Sequence, residues 1–311
     1  MQFIIPPLIL NKMKPKKNKF ILNKTYGYYE VSPKPTDKEL IDYYEGKYYQ
    51  DENGSYNHYY ELNELNYFKN KIAQKDFVVD KILESNNKST LLDIGCGEGF
   101  ALDYYHKKGL SVLGLDFSDF GLNRNNPHLK PYLLQGNIFK KIQKLVLDKK
   151  KFDVLWMGNL LEHVIDPEDL IQQCLKLISD EGVLVIEVPN DFSEFQLKLL
   201  EEEKIISKYW EAYPDHISYF SYQSLQNLME SNGWKTQKII SDFPVEWYLA
   251  NPNSNYNKNK NVGKSAHESR MFIENFLHDN QSIKLDDITN FYESMAKIGQ
   301  GRQLIGFFTK E

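Results

Sequence analysis

A largely parallel α/β sheet with helices on both faces is the fold this sequence predicts, and three observations predict it. Short, largely apolar runs bounded by turn residues recur from residue 88 onward, as expected for strands buried on both faces. Helical periodicity fills the gaps between them. The first run leads straight into LLDIGCGEGF, Leu91 to Phe100, which reads as a buried strand, a glycine-rich turn and the start of a helix.

In chain order, MQFIIPPLIL is apolar but holds Pro6-Pro7 and has its lysines after it. A secretory signal has the opposite polarity, and the run is too short to span a bilayer. Residues 1–23 are expected to be a loosely held arm, with Met13 as good a start as Met1. Residues 24–87 are tyrosine-rich and are expected to form a helical N-terminal cap over the ligand mouth. Thr36 with Glu39 makes a capping box. From Tyr59 to Leu83, apolar residues recur at helical spacing: Leu62, Leu65, Phe68, Ile72, Phe77, Val78 and Ile82. The tyrosines serve equally well as packing surface or as ligand contacts.

Residues 88–245 form the core. Its expected strands are 90–94, 111–115, 132–134, 152–157 and 182–188, and a helix over 166–178 opens on Asp-Pro-Glu-Asp. Two later strands, 238–240 running on to 243 and 303–309, bring the sheet to seven, with 302–311 as its last strand. The insertion at 246–301 begins with ANPNSNYNKNKNVGKSAH, polar and Asn/Lys-rich, and so a mobile loop by composition. Helical patterns follow over 267–277 and 285–298.

Composition narrows the function. A chain of 311 residues makes one large domain with appendages. Net charge is −5 and the body of the chain carries no basic stripe, so nucleic acid is a poor substrate. No other stretch approaches a membrane span. Cys96 and Cys174 form no CxxC pair, which argues against structural zinc and a disulfide framework and suits a reducing cytoplasm. No metal site is expected.

VLGLDFS, Val112 to Ser118, is a second buried strand, and it ends on Asp116. A strand, glycine loop, helix, strand and Asp in that order bind an adenosine nucleotide: the glycines let the backbone approach, and the Asp takes both ribose hydroxyls. Gly95, Gly97 and Gly99 read GxGxG. A dinucleotide site wants its third glycine where this chain has Phe100, and a bulky side chain there argues against a pyrophosphate cradle.

Asp93, Gly95, Gly97, Gly99 and Asp116 resemble the first two motifs of class I S-adenosylmethionine-dependent methyltransferases, and the resemblance covers roughly the central half of the chain. It implies a Rossmann-like seven-stranded sheet ending in a reversed hairpin, and S-adenosylmethionine as cofactor. Cys96, inside the loop, and Phe117, beside the acid, are counted in the same site. GNIF, 136–139, stands where the family contacts adenine, so the resemblance assigns Asn137 to the adenine amine and Ile138 to the ring. A plain strand-to-helix turn is the alternative.

MGNLLEHVIDP, 157–167, follows the fourth strand at the edge where open α/β sheets bind ligands. It resembles the LEHV segment of small-molecule methyltransferases, including ubiquinone-biosynthesis and sugar enzymes. A structural role for Glu162 and His163 is the first reading; the second makes His163 a general base or a shaper of the pocket. The sharper candidate is Tyr213-Pro-Asp215-His216, ahead of a capped helix near Ser221. It resembles the Tyr/carboxylate/His group of deoxysugar C-methyltransferases, which usually carry Glu where this chain has Asp215. An exposed His beside an acid sits near neutral pKa, as proton abstraction requires; capping or packing the next helix is the even alternative. Pro189-Asn190-Asp191 would line the same pocket, and Arg302 would either bind a substrate anion or stay on the surface.

The expectation is a cytoplasmic S-adenosylmethionine-dependent methyltransferase of a small molecule, by O-methylation of a carbohydrate, a nucleotide-linked sugar or a polysaccharide precursor. C- or N-methylation is the alternative, and a non-catalytic S-adenosylmethionine-binding protein stays open. A dinucleotide oxidoreductase would need a Tyr-x-x-x-Lys pair that is not suitably placed. Methylation of nucleic-acid amines would need an Asn/Asp-Pro-Pro-aromatic loop where this chain has Gly158-Asn159-Leu160-Leu161.

Overall fold

The computed structural model describes residues 19–36, 38–40, 59–84 and 88–311. The expectations for residues 1–18, Met13 among them, and for the tyrosines of 41–58 lie outside the described residues. Strands β1 (Lys19–Leu22) and β2 (Tyr29–Ser32) precede a long helix, α1 (Leu62–Ile82). Then come β3 (Thr90–Ile94), α2 (Phe100–Lys107), β4 (Ser111–Asp116), α3 (Phe120–Asn125), β5 (Leu133–Gln135) and α4 (Ile138–Leu147). These lead into β6 (Phe152–Gly158), α5 (Pro167–Leu177), β7 (Ile178–Pro189) and α6 (Glu194–Glu201). A short β8 (Ser218–Tyr219), α7 (Tyr222–Glu230) and β9 (Trp234–Ser241) follow. The chain continues through α8 (Trp247–Ala250), α9 (Gly263–Asp279) and α10 (Leu285–Lys297) to β10 (Gln303–Lys310).

The large sheet has seven strands in the order β5-β4-β3-β6-β7-β10-β9. All are parallel except β10, which runs antiparallel between β7 and β9. The expected seven-stranded fold is therefore present, with β7 starting earlier than read, at Ile178. Its central strands are apolar because both faces are covered: Leu91, Leu92, Ile94, Val154, Leu155, Val183 and Leu184 are all at 0 % exposure. Each such side chain contributes about 1.5–3 kcal/mol by leaving water. The helix ends follow local chemistry. Asp166 accepts the Asp169 N–H at 3.0 Å ahead of Pro167, and Ser221 caps α7.

Gly301 sets how closely β10 approaches β9. Its φ is +101°, and a Cβ there would stand 2.4 Å from the Ser241 Cβ and 2.8 Å from the Asp242 carbonyl oxygen. Gly301→Ala is expected to destabilise the chain by about 2–4 kcal/mol, through both strain and overpacking. A thermal melt followed by circular dichroism reads this out, and an unchanged midpoint would contradict the close approach.

Two regions differ from expectation. The arm read over 1–23 supplies β1, and the cap read as helical over 24–87 contains β2; these two strands and β8 form a separate three-stranded sheet. Phe20 packs against Tyr219 at 5.2 Å and Phe192 at 5.8 Å, and the Val31 N–H donates to the Ile217 carbonyl at 3.0 Å. The partner segment lies far along the chain, so no local pattern announces these strands. The Asn/Lys-rich loop is also not the mobile segment its composition suggests. Asn255 is 3 % exposed; its amide donates to the carbonyls of Lys204 (2.7 Å) and Leu249 (2.6 Å), and its Oδ1 accepts from Asn257 and Lys258. GKSAH is already the first turn of α9.

Candidate active site

β3 ends in a tight turn in which Gly95, Gly97 and Gly99 all have positive φ, at 76°, 52° and 77°. Side chains rarely adopt that region, so glycine is required at each. At Gly97 nothing stands within 4 Å of where a Cβ would be, which leaves that face of the loop open. At the tip of β4, Asp116 is 5 % exposed; its Oδ2 accepts the Gly97 N–H at 2.8 Å and its Oδ1 the Ser118 N–H at 2.9 Å. Asp93 lies beneath. Burial, and then the Asp116 charge, push its carboxyl up to about 8, so at neutral pH it is a donor rather than a second anion. An open glycine face beside a fixed carboxylate fits an adenosine-type cofactor.

The other cofactor candidates divide. Phe117 is 37 % exposed beside Asp116. Cys96 is turned away: its sulfur packs so close to Gly114 that a Cβ there would come within 2.8 Å, leaving only its backbone to line the loop. Asn137 is the N-cap of α4, with its Oδ1 accepting the Lys140 N–H at 3.0 Å, which is the plain-turn alternative in place. Ile138 is 3 % exposed within the core, alongside Leu115 and Ile142. Phe100 packs against Phe68 of α1 at 4.9 Å and Tyr60 at 5.6 Å, and the Tyr60 hydroxyl donates to Glu98 at 2.9 Å. The start of α1 thus lies over the glycine loop.

The histidine candidates converge. After β6, Asn159 adopts φ 51°, tolerable for Asn, and turns the chain into a short helical turn carrying Glu162 and His163. The Ile217 N–H donates to the Glu162 carbonyl at 2.8 Å, bringing the 213–216 segment alongside. His163 Nδ1 donates to the Asp215 carbonyl at 2.7 Å and lies 3.3 Å from its Oδ1, while Glu162 Oε1 is 3.7 Å from Nε2. The His163 and His216 rings are 5.0 Å apart, edge to face. His216 also lies 4.0 Å from carboxylate oxygens of both Asp191 and Asp215. Arg302 pairs with Asp191 at 2.6 Å, so it is neither a surface residue nor an unengaged anion binder. Tyr213, two residues before Asp215 in the chain, is half-buried.

The expectation of an exposed, near-neutral His216 is overturned. It is 3 % exposed, and burial, reinforced by the charge on His163, lowers its pKa to about 3. Burial would also discharge His163, but Asp215 and then Glu162 outweigh it and hold His163 at about 9. The Asp215 carboxyl is lowered: burial would raise it, and His163 more than compensates. Burial pushes Glu162 up to about 7. At neutral pH, His163 is therefore the cation, His216 a neutral imidazole, and Glu162 a carboxyl poised near the working pH.

Glu162, His163 and His216 also bring ligand-type atoms within 4.8 Å of one another, a set that would hold a cation only with His163 deprotonated. Glu162 acquires its weight only in three dimensions, because its neighbours arrive from 191 and 213–216. The cluster borders the glycine loop: a Cβ on Gly95 would meet Leu160 Cδ1 at 3.1 Å.

Comparison with known proteins places this geometry. A family described as a methyltransferase domain matches residues 67–239, more than half of the chain. Among curated proteins, a mitochondrial ubiquinone biosynthesis O-methyltransferase of Bos taurus is 26 % identical over 193 residues, covering 59 % of this chain and 50 % of that protein. The ubiquinone biosynthesis O-methyltransferase of Pelagibacter ubique is 31 % identical over 142 residues, covering 45 % of this chain and 59 % of that one. The chain thus spans about half the length of the curated relatives it matches. A solved S-adenosylmethionine-dependent methyltransferase from Archaeoglobus fulgidus shares the fold at 17 % identity with TM-score 0.50, over 89 % of this chain and all of that one. Among the described residues, no helix is long and apolar enough to cross a membrane.

Proposed function

The chain belongs to the methyltransferase domain family, a group dependent on S-adenosylmethionine, and from that premise we propose that it methylates a hydroxyl of a small molecule. When bound, the cofactor supplies an already activated methyl group. The protein must then hold the two reactants in line and remove one proton. In this reading the loop of Gly95, Gly97 and Gly99 and the Asp116 carboxylate hold the adenosine part, with Asp93 and the Cys96 backbone beneath and Phe117 beside it. Glu162, poised near the working pH, is the proton acceptor, while His163, held charged by Asp215, and the neutral His216 orient it. Tyr213 lines the acceptor side. The observation that carries the proposal is the contact of Leu160 with Gly95, which sets the proton-accepting cluster against the cofactor loop.

The names of the curated relatives support transfer to oxygen. For the acceptor, the Tyr213–Asp215–His216 group favours a nucleotide-linked sugar or polysaccharide precursor, whereas those names favour an intermediate of ubiquinone biosynthesis. C- or N-methylation is the alternative chemistry. A reducing cytoplasm suits the two free, buried cysteines, Cys96 and Cys174. Nothing in the described surface calls for nucleic acid. We further assign 88–245 with 302–311 to the cofactor-binding core and 246–301 to the acceptor side.

Methyl-labelled S-adenosylmethionine offered with candidate acceptors of both kinds tests this. Glu162→Gln is expected to lower kcat by about 10²–10⁴-fold, the usual worth of a general base, and His216→Asn by less, with S-adenosylhomocysteine binding unchanged in both. Full turnover in Glu162→Gln would overturn the assignment of the base. Cofactor binding without turnover on any acceptor would favour the non-catalytic reading.

A further inference from the structure

The two halves of α1 are held to the protein in different ways. The second half is core: Ile72, Val78 and Val79 are buried. The first two turns are not. Leu62 and Leu65 are 75 % and 39 % exposed, Tyr59 just ahead of them is 89 % exposed, and Glu61 gives the helix no side-chain cap. The contacts that hold this end are polar. The Asn275 amide donates to the Asn63 carbonyl at 3.2 Å and to its Oδ1 at 2.9 Å. Glu64 lies 3.5 Å from His267, whose pKa is lowered to about 4 by burial and then by Arg270, so no charge draws the two together at neutral pH. A segment with few buried apolar contacts and exposed hydrogen bonds belongs to the low end of local stability.

One contact ties this end to the cofactor loop. The Tyr60 hydroxyl donates to the carboxylate of Glu98, 2.9 Å from each oxygen, and Glu98 stands between Gly97 and Gly99. Glu98 is itself fixed by α3 and the residue after it. The Asn125 amide donates to Oε1 at 2.9 Å, and the Asn126 amide donates to the Glu98 carbonyl at 2.8 Å. The Tyr60 ring meets Phe68 and Phe100 edge-on at 5.1 and 5.6 Å. The loop end of the contact is therefore the anchored one, and the α1 end is the one that can give.

We propose that the first two turns of α1 are a latch over the bound cofactor, fastened by the Tyr60 hydroxyl on Glu98, and that its opening sets the rate at which S-adenosylhomocysteine leaves. The inference rests on the cofactor reading above and adds a release step to it, a step that limits turnover in many enzymes with lids. Glu98 also makes the latch sensitive to pH. Burial pushes its carboxyl up to about 7, against Tyr60, Arg124 and Asn125, which favour the ionised form. An ionised acceptor holds a hydrogen bond about twice as strongly as a neutral one, so the latch is tight above pH 7 and loosens below it. The ionisable groups facing Glu98 are Tyr60 and Arg124 of α3, with Asp93 and Asp116 at the strand ends below the loop.

Release of tritiated S-adenosylhomocysteine, chased with unlabelled excess, tests this. Tyr60→Phe keeps the ring and is expected to speed release at least about tenfold, the worth of one hydrogen bond to a charged group. Wild-type release is expected to slow as pH rises through 7. Glu98→Gln, which leaves Asp93 and Asp116 in place, is expected to remove most of that slope. Amide hydrogen exchange reads the latch in the ligand-free chain. Leu65 to Lys69 are expected to exchange faster than Gln74 to Val79, faster still in Tyr60→Phe, and more slowly once S-adenosylhomocysteine is saturating. Unchanged release in Tyr60→Phe, or equal exchange in the two halves of α1, would overturn the inference. An equal pH slope in the wild type and Glu98→Gln would overturn the part given to Glu98. Failure of the wild type to bind S-adenosylhomocysteine would instead strike the cofactor reading, and exchange in the ligand-free chain still reads the latch.

Discussion

Asp116→Ala removes S-adenosylhomocysteine binding in calorimetry, an expected fall of about 10²–10⁴-fold in affinity. A hydrogen bond to a charged group contributes about 1.5–3 kcal/mol, and each 1.4 kcal/mol is tenfold, so two ribose hydroxyls on one carboxylate account for that range. The substitution also takes away the acceptor for the Gly97 and Ser118 N–H groups, at 2.8 and 2.9 Å, and so loosens the loop that must meet the cofactor. Asp93 responds in the opposite sense. Relieved of a neighbouring anion, its carboxyl falls from about 8 and ionises more readily, restoring some negative charge without restoring the geometry. Affinity within threefold of the wild type would remove Asp116 from the ribose site. A normal melting curve for the variant would show that any loss is local.

Breaking the buried pair gives the second large effect. Asp215→Asn keeps the shape and removes the charge that faces His163, and leaving one buried ion without its partner typically costs about 3–5 kcal/mol. The same pair gives the protein a pH signature. The folded-state pKa of His163, about 9, lies above its ordinary 6.5, so above pH 6.5 the folded chain holds a proton that the unfolded chain has released. Its stabilisation is complete below pH 6.5 and is lost as pH rises through 9, about 3 kcal/mol in all. Glu162, raised from 4.5 to about 7, acts in the same direction, its contribution fading as pH rises through 7. His216, lowered to about 3, works the other way and weakens the fold as pH falls below 6.5. Urea unfolding of the wild type between pH 6 and 10 should therefore show stability declining on the alkaline side, and Asp215→Asn should flatten that decline. An equal slope in both proteins would mean that His163 carries no extra proton.

The sheet was legible because its strands are buried on both faces. Leu91 to Ile94, Val154 to Met157 and Val183 to Ile186 have no solvent side to interrupt them, and runs of that kind are visible in one dimension. Caps such as Asp166 and Ser221 were legible for the same reason: a cap is settled within three residues. The strands β1, β2 and β8 were not, since Val31 is extended by a hydrogen bond to Ile217, which no local window contains. The Asn/Lys-rich loop misled because composition counts polar side chains without asking what they hold, and Asn255 holds two carbonyls. For the site, the spacing of Gly95, Gly97, Gly99 and Asp116 was readable, whereas the charge states were not. His216 looked like the base because an acid precedes it; what decides its protonation is burial, reinforced by His163, brought to 5.0 Å by the fold.

Strand order and synthesis order part company at β10. It is the last of the seven strands to leave the ribosome, yet its place is between β7 and β9. The parallel strands from β5 to β7 can pair while translation continues, but β9 has no neighbour until β10 emerges. At roughly 5–20 residues per second, the insertion keeps Trp234 to Ser241 waiting for seconds, with Ile239 and Ile240 lacking the partner strand that later covers them. Such unpaired apolar edges are what chaperones bind and what nascent chains aggregate through. The length of the 246–301 insertion thus also sets how long each new molecule is vulnerable before its sheet can close.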